Sequence, residues 1–253
     1  MVNNVQLFKG DCLEIMKEIP SKSIDMILCD LPYGTTACKW DVVIPFEPLW
    51  EQYNRVIKNN GAIVLFGSEP FSSVLRMSNI KNYKYDWIWE KSTSAGFVHA
   101  KNMPMKRHEN ISVFSLGKMG HKSQLGEKRM IYNPQGLIEV DKIHKRPTTG
   151  MVNVIGKRPS HKKEFKVKYE NYPTSVLKFP NSNNKNVHPT QKPVNLLEYL
   201  IRTYTKEEET VLDNCMGSGS TGVACMNTNR RFIGIEKEEE YFEIAKERID
   251  KHI

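Results

Sequence analysis

Short apolar runs alternate along this chain with segments whose apolar residues recur at helical spacing, the rhythm of strands and covering helices. Val5-Gln6-Leu7-Phe8 predicts a strand stopped at Gly10, and Asp11-Cys12-Leu13-Glu14-Ile15-Met16 predicts a helix with Asp11 as its N-cap. Pro20-Ser21 ends that helix. The unbroken run Ile24-Asp25-Met26-Ile27-Leu28-Cys29 then predicts a buried strand that delivers Asp30-Leu31-Pro32-Tyr33 at its tip. Gly34 to Asp41 lacks periodicity and reads as a mobile loop over that tip.

The rhythm continues. Glu47 to about Lys58 predicts a helix with Leu49, Tyr53, Val56 and Ile57 on one face, closed by Asn59-Asn60-Gly61. Ala62 to Phe66 is a strand, Pro70 to about Ile80 a helix, and Tyr85 to Trp89 and Ile111 to Leu116 two further strands. After Pro193 a helix presents Leu196, Leu197, Leu200, Ile201 and Tyr204. Val211-Leu212-Asp213 is a strand, followed by the turn Gly217-Ser218-Gly219-Ser220-Thr221-Gly222 and a helix; Phe232 to Ile235 is a strand ending at Glu236, and Tyr241 to about Lys251 closes the chain as a helix. This pattern predicts an α/β fold with a doubly wound, mostly parallel sheet covered on both faces. Ligands of such sheets bind outside the carboxyl ends of the strands, which is where Asp30 falls.

Between Gly117 and Pro180 the rhythm fails. That segment holds 14 Lys and Arg against 5 Asp and Glu, a net +9, whereas the rest of the chain holds 23 against 24, so nearly all of the overall +8 belongs to it. Tyr132, Phe165, Tyr169, Tyr172 and Phe179 are interleaved with the charges. Cations neutralise phosphates and aromatic rings stack on bases, so the segment reads as an inserted nucleic-acid-binding region. The seven scattered histidines, among them His99, His108, His144 and His161, and five cysteines without a C-x-x-C pair predict neither a metal site nor a disulfide framework. No apolar run reaches the roughly 20 residues of a membrane span, and the N-terminus lacks signal-peptide character, so a soluble cytoplasmic protein is expected.

A glycine turn with an acid at the end of the next strand, about 20 residues on, suits an adenosine-containing ligand of any kind. It is not a phosphate-binding loop of the Gly-Lys-Ser/Thr type. Asp213 before the turn and Glu236 after it repel a pyrophosphate and suit a cationic, polyhydroxylated ligand; S-adenosylmethionine answers that description. The nucleoside-binding unit lies at the C-terminal end, long after Asp30. The N-terminal strand is therefore needed to complete the ligand edge, which predicts a circularly permuted sheet.

The order Asp30-Leu31-Pro32-Tyr33-Gly34, basic insertion, His188-Pro189-Thr190-Gln191-Lys192-Pro193, then Asp213 with Gly217-Ser218-Gly219, resembles the beta class of amino DNA methyltransferases over nearly the whole chain. The resemblance implies a Rossmann-like methyltransferase fold and transfer of a methyl group from S-adenosylmethionine to N6 of adenine or N4 of cytosine in DNA. An aspartate-led tetrapeptide in this family favours adenine. It implies a catalytic half at 1–116, a target-recognition insertion at 117–180 and a cofactor-binding half at 181–253. Asp30, Pro32 and Tyr33 are then catalytic, and Asp11, Cys12, Asp30, Lys192, Pro193, Asp213, Gly217, Ser218, Gly219 and Glu236 bind the cofactor, with no metal. Leu31 stands where the family commonly has a first proline, and Asn214-Cys215 where it commonly has Pro-Phe.

A conjugated amino group is a poor nucleophile, and acceptance of its two N–H bonds by Asp30 and the Pro32 carbonyl frees the lone pair for attack. The target atom is shielded in a duplex, so the base is expected to flip out, with Tyr33 as a stacking partner. The alternatives are an RNA or protein amino methyltransferase and a DNA-binding relative without activity. The sequence leaves open a homodimer, a restriction partner, the recognition sequence, and whether the host is a prokaryotic or a phage-infected cell.

Overall fold

The computed structural model describes residues 4–36, 38, 41–145, 164–181 and 191–252. His188, Pro189, Thr190, Lys162 and Lys163 lie outside them. In chain order the elements are β1 (Val5–Lys9), α1 (Cys12–Ile15), β2 (Ile24–Cys29), α2 (Phe46–Val56), β3 (Ile57–Gly67), α3 (Phe71–Ser78), β4 (Tyr83–Ala95) and β5 (Lys106–Phe114). There follow α4 (Lys122–Leu125), β6 (Ile138–Lys145), β7 (Glu164–Glu170), β8 (Val176–Lys178), α5 (Val194–Tyr204), β9 (Thr210–Asp213), α6 (Ser220–Asn227), β10 (Arg231–Glu236) and α7 (Glu239–Asp250).

Two compact units result, one formed by Met1–Asn133 with Ser175–Ile253 and one by Pro134–Thr174. The larger is built on an eight-stranded sheet of order β1-β10-β9-β2-β3-β5-β4-β8. The last two strands thus sit between the first and the second. β1, β10, β9, β2 and β3 are mutually parallel, and so are β4 and β8; β5 runs antiparallel to both β3 and β4.

Alternation along the strands explains why the sheet is covered twice. Met26 and Leu28 of β2 and Ala62, Val64 and Phe66 of β3 pack into one core with Leu196, Leu200 and Ile201 of α5 and Ala245 and Ile249 of α7. Ile27 and Cys29, with Ile63 and Leu65, pack into the other with Leu49, Tyr53 and Val56 of α2 and Leu75 of α3. Each fully buried Val, Leu, Ile, Phe or Met among them contributes about 1.5–3 kcal/mol.

Several boundaries differ from the periodicity reading. The helix expected to reach Lys58 stops at Val56, and Ile57 is already a strand residue paired with Ile24. Asn59-Asn60-Gly61 is an irregularity inside β3, where a Cβ on Gly61 would lie 2.6 Å from the Asp25 carbonyl, rather than a helix stop. β4 extends to Ala95 and β5 begins at Lys106, well beyond the apolar cores at Tyr85–Trp89 and from Ile111, because the two strands form a long hairpin.

The segment from Gly117 also divides. Met130 is buried in the core of the larger unit and Ile131 N–H donates to the Asn60 carbonyl at 3.0 Å. In the smaller unit β6 and β7 form an antiparallel pair, with Asn171 donating to the Gly136 carbonyl at 2.7 Å. Among the described residues no helix is long and apolar enough to cross a membrane.

Candidate active site

Four parallel strands end on one side of the sheet, and their tips bring together residues from both ends of the chain. Gly10-Asp11 follows β1, Asp30 follows β2, Asp213 closes β9 and Glu236 closes β10. They border one cavity of about 390 Å³. Asp11, Cys12, Asp30, Pro32, Tyr33, Lys192, Asp213, Gly217, Ser218 and Glu236 all line it. Of the residues singled out in the sequence, Pro193 and Gly219 do not. Pro193 caps α5, and Gly219 (φ +78°) backs onto α7, where a Cβ would lie 2.9 Å from that of Ala245.

At the β2 tip, Tyr33 Oη donates to Asp30 Oδ1 at 2.6 Å and Lys192 Nζ donates to Oδ2. Lys192 is only 7% exposed, sits 5.1 Å from the centre of the Phe66 ring and also lies 3.5 Å from Glu109 Oε2. Glu109 is in turn paired with Lys91. Burial works against the Lys192 charge, but the Asp30 and Glu109 carboxylates outweigh it and hold the ammonium above its ordinary value. Burial likewise pushes Glu109 up, and the ammonium groups of Lys192 and Lys91 more than reverse it. Burial and the Asp30 charge push the Tyr33 phenol well up, so it remains a donor, and its ring packs on Phe71 with centroids 5.0 Å apart.

The loop after Tyr33 is tied down at its start. Asp41, 6% exposed, accepts from the N–H groups of Gly34, Thr35 and Thr36 at 2.8, 2.9 and 2.7 Å. Burial raises the Asp41 carboxyl, but these donors outweigh it and hold it below its ordinary value.

At the β9–β10 end of the cavity, Glu236 accepts from the Gly217 and Glu238 N–H groups at 2.8 and 2.9 Å, and burial lifts its carboxyl above the usual range. Burial raises Asp213 to about 7, against hydrogen bonds from Thr221 Oγ1 at 2.6 Å and Cys215 N–H at 3.1 Å. Asp11 caps α1 through the Leu13 N–H at 2.9 Å and pairs with Lys237 at 3.5 Å. Where the family pattern has Pro-Phe, Asn214 Oδ1 accepts from the buried Tyr53 hydroxyl at 2.5 Å. Cys215 packs with Cys12 and Cys29 in the same apolar cluster, and of the three Cys12 and Cys215 line the cavity. Among the described residues no group of His, Cys, Asp and Glu is arranged to hold a metal.

The donor set fits S-adenosylmethionine. Buried carboxylates at Asp213 and Glu236 suit a cation and ribose hydroxyls, and Leu13, Met216 and Tyr241 give the same cavity an apolar wall. Glu109 and its partner Lys91 escaped the sequence reading. The one signal is an acid directly ahead of the apolar run that starts near Ile111, and nothing local ties it to Lys192.

Comparison with known proteins identifies the family. The family model described as DNA methylase, of N6 and N4 specificity, matches residues 24–247. The chain is 29% identical over 258 residues to the Type II methyltransferase M.HpaI of Haemophilus parainfluenzae, covering 97% of this chain and 74% of that protein. It is 28% identical to M2.LlaDCHI of Lactococcus lactis subsp. cremoris, covering 98% and 90%. Among solved structures, the M1.HpyAVI–SAM complex superposes with a TM-score of 0.62 at 25% identity, covering 96% of this chain and 99% of that one. The cytosine-N4-specific PvuII DNA methyltransferase shares the fold, with a TM-score of 0.66 at 15% identity and coverage of 98% and 91%. With a match over most of its length and a cavity of this composition, the chain belongs to the N6/N4 DNA methylase family, the S-adenosylmethionine-dependent amino methyltransferases of DNA.

Proposed function

We propose that the protein methylates the exocyclic amino group of a base extruded from duplex DNA, N6 of adenine in preference to N4 of cytosine, within a short recognition sequence. The observation that carries this reading is the Asp30 carboxylate, held on the cavity wall by Tyr33 and Lys192 beside Pro32. The aspartate at the head of the tetrapeptide supports adenine. The Type II methyltransferases among the relatives support site-specific modification in a bacterial setting.

S-adenosylmethionine, when bound, supplies an electrophilic methyl group on a sulfonium. Asp213, Gly217, Ser218 and Glu236 would hold it, with Asp11 and Cys12 on the adenine side and Lys192 at the junction with the substrate. Each carboxylate oxygen has two acceptor sites, so Asp30 can keep Tyr33 and Lys192 and still accept a substrate N–H. The Pro32 carbonyl takes the second N–H, and the nitrogen lone pair is freed from the ring. The two ion pairs of Lys192 fix Asp30 in place before the base arrives, so little reorganisation is left to the reaction itself. Glu109 acts here as a positioning residue. Extrusion costs a few kcal/mol, and stacking on the Tyr33 ring returns roughly 1–3 kcal/mol. The basic insertion, including Lys166 and Lys168 on β7, supplies phosphate contacts.

The test separates chemistry from cofactor binding. Asp30→Ala abolishes methyl transfer from tritiated cofactor to plasmid DNA, while titration calorimetry finds S-adenosylmethionine binding retained. Loss of both together would assign Asp30 to the cofactor and not to the base.

A further inference from the structure

The hairpin joining β4 to β5 touches the cavity only at its foot, through Glu109, and beyond that residue it rises from the same edge of the sheet. β3 ends at Gly67, opposite Asn110 of β5, while β4 and β5 go on pairing through Glu90–His108 to Ala95–Lys106. At about 3.3 Å per residue, the stretch from Asn110 back to Lys106 carries the ribbon roughly 13 Å past the carboxyl end of β3 before its tip begins. Glu109, at the foot of this ribbon, pairs with the Lys192 that holds Asp30. The tip therefore projects from the catalytic edge.

Its composition is unusual for a free surface. Phe97 is 79% exposed, Val98 88% and Met103 60%. From Lys91 to His108 the chain has four Lys and Arg and no Asp or Glu. Arg107 is engaged by Glu90 at 3.7 Å and by the Lys91 carbonyl at 3.2 Å, and Lys106 reaches the Ser68 hydroxyl. Lys101 extends from the exposed tip between Phe97 and Met103. Apolar side chains flanked by cations suit a surface that is anionic outside and apolar within. Duplex DNA opened at one base step is such a surface: phosphates along its edge, and an unstacked slot between bases.

We propose that the tip of the β4–β5 hairpin is a DNA-docking wedge, with Lys101 and Lys106 on backbone phosphates and Phe97 entering the gap left by the extruded base. The wedge rests on the base-extrusion reading above; the phosphate contacts do not. This surface lies outside the 117–180 segment, so phosphate contacts come from the larger unit too.

The test uses the full chain, unmethylated plasmid DNA and a labelled duplex fragment cut from that plasmid. Phe97→Ala lowers methyl transfer from tritiated S-adenosylmethionine by roughly fivefold or more, the loss of one stacking contact, and leaves cofactor binding by calorimetry unchanged. Lys101→Gln with Lys106→Gln reduces the slope of log affinity against log salt by about 1.8, two phosphate contacts. Native rates in the first variant and a native slope in the second would overturn the inference. A Phe97→Ala chain that transfers methyl groups normally but sediments as a smaller species than the native protein would overturn it too, by making the tip a contact between copies. If the native chain itself transfers no methyl group, the functional reading fails instead, and the slope measurement still judges the phosphate contacts.

Discussion

Asp213 is the residue whose environment makes the sharpest demand. Burial raises its carboxyl to about 7, so the folded protein holds it neutral through the range where an unfolded chain would have ionised it. A raised carboxyl contributes stability at low pH that is lost as pH climbs from about 4 through 7, because the native state then holds the extra proton. A cationic ligand reverses the preference, since it favours the ionised form. S-adenosylmethionine affinity is therefore expected to rise by up to about tenfold per pH unit below 7 and to level off above it, with proton release on binding. Calorimetry in buffers of different ionisation enthalpy measures both. In Asp213→Asn the pH dependence disappears; an unchanged profile in that variant would place the cation elsewhere. The same scale shows where sequence reading stops. Asp30 and Asp213 were legible because each ends an apolar run, whereas Glu109 gains its meaning only from a partner, Lys192, that is remote in sequence and adjacent in space.

At the level of elements, the glycine turn between β9 and α6 serves two different purposes. Gly217 reaches the cavity and gives its N–H to Glu236, while Gly219 turns its back on the cavity and lets the start of α6 settle on α7. A side chain at Gly219 meets both an unfavourable φ of +78° and the Ala245 Cβ at 2.9 Å. Gly219→Ala should cost about 1–3 kcal/mol in urea unfolding while the folded fraction keeps its cofactor affinity. Lost affinity at native stability would make Gly219 part of the ligand cradle after all. A glycine-rich spacing signals close approach without saying to what, and only the packing of α7 distinguishes the two residues. The strands show the same limit. Apolar runs located β2, β3, β9 and β10, but the antiparallel course of β5 and the length of the β4–β5 ribbon depend on cross-strand pairing that local periodicity does not carry.

For the whole molecule, sheet order explains why the chemistry is divided between the two ends of the chain. β9 and β10 are inserted between β1 and β2, so Asp213 at the end of β9 stands on the strand next to the one that delivers Asp30, and Glu236 one strand further. The permuted order is legible because the glycine turn and its downstream acid follow Asp30 in the chain, and the parallel pairing of β1 with β10 joins the two ends of the sequence in one sheet. The smaller unit, Pro134–Thr174, carries little periodicity to read, and its charge indicated a nucleic-acid partner without indicating its β6–β7 pairing.

In the function proposed above, this edge of the sheet moves a methyl group onto the amino nitrogen of a DNA base. The most direct measurement is mass spectrometry of nucleosides released from plasmid DNA incubated with the protein and S-adenosylmethionine carrying a deuterated methyl group. Label is expected in N6-methyldeoxyadenosine with the native chain and none with Asp30→Ala. Label in 5-methyldeoxycytidine, or equal labelling by the Asp30→Ala chain, would contradict it.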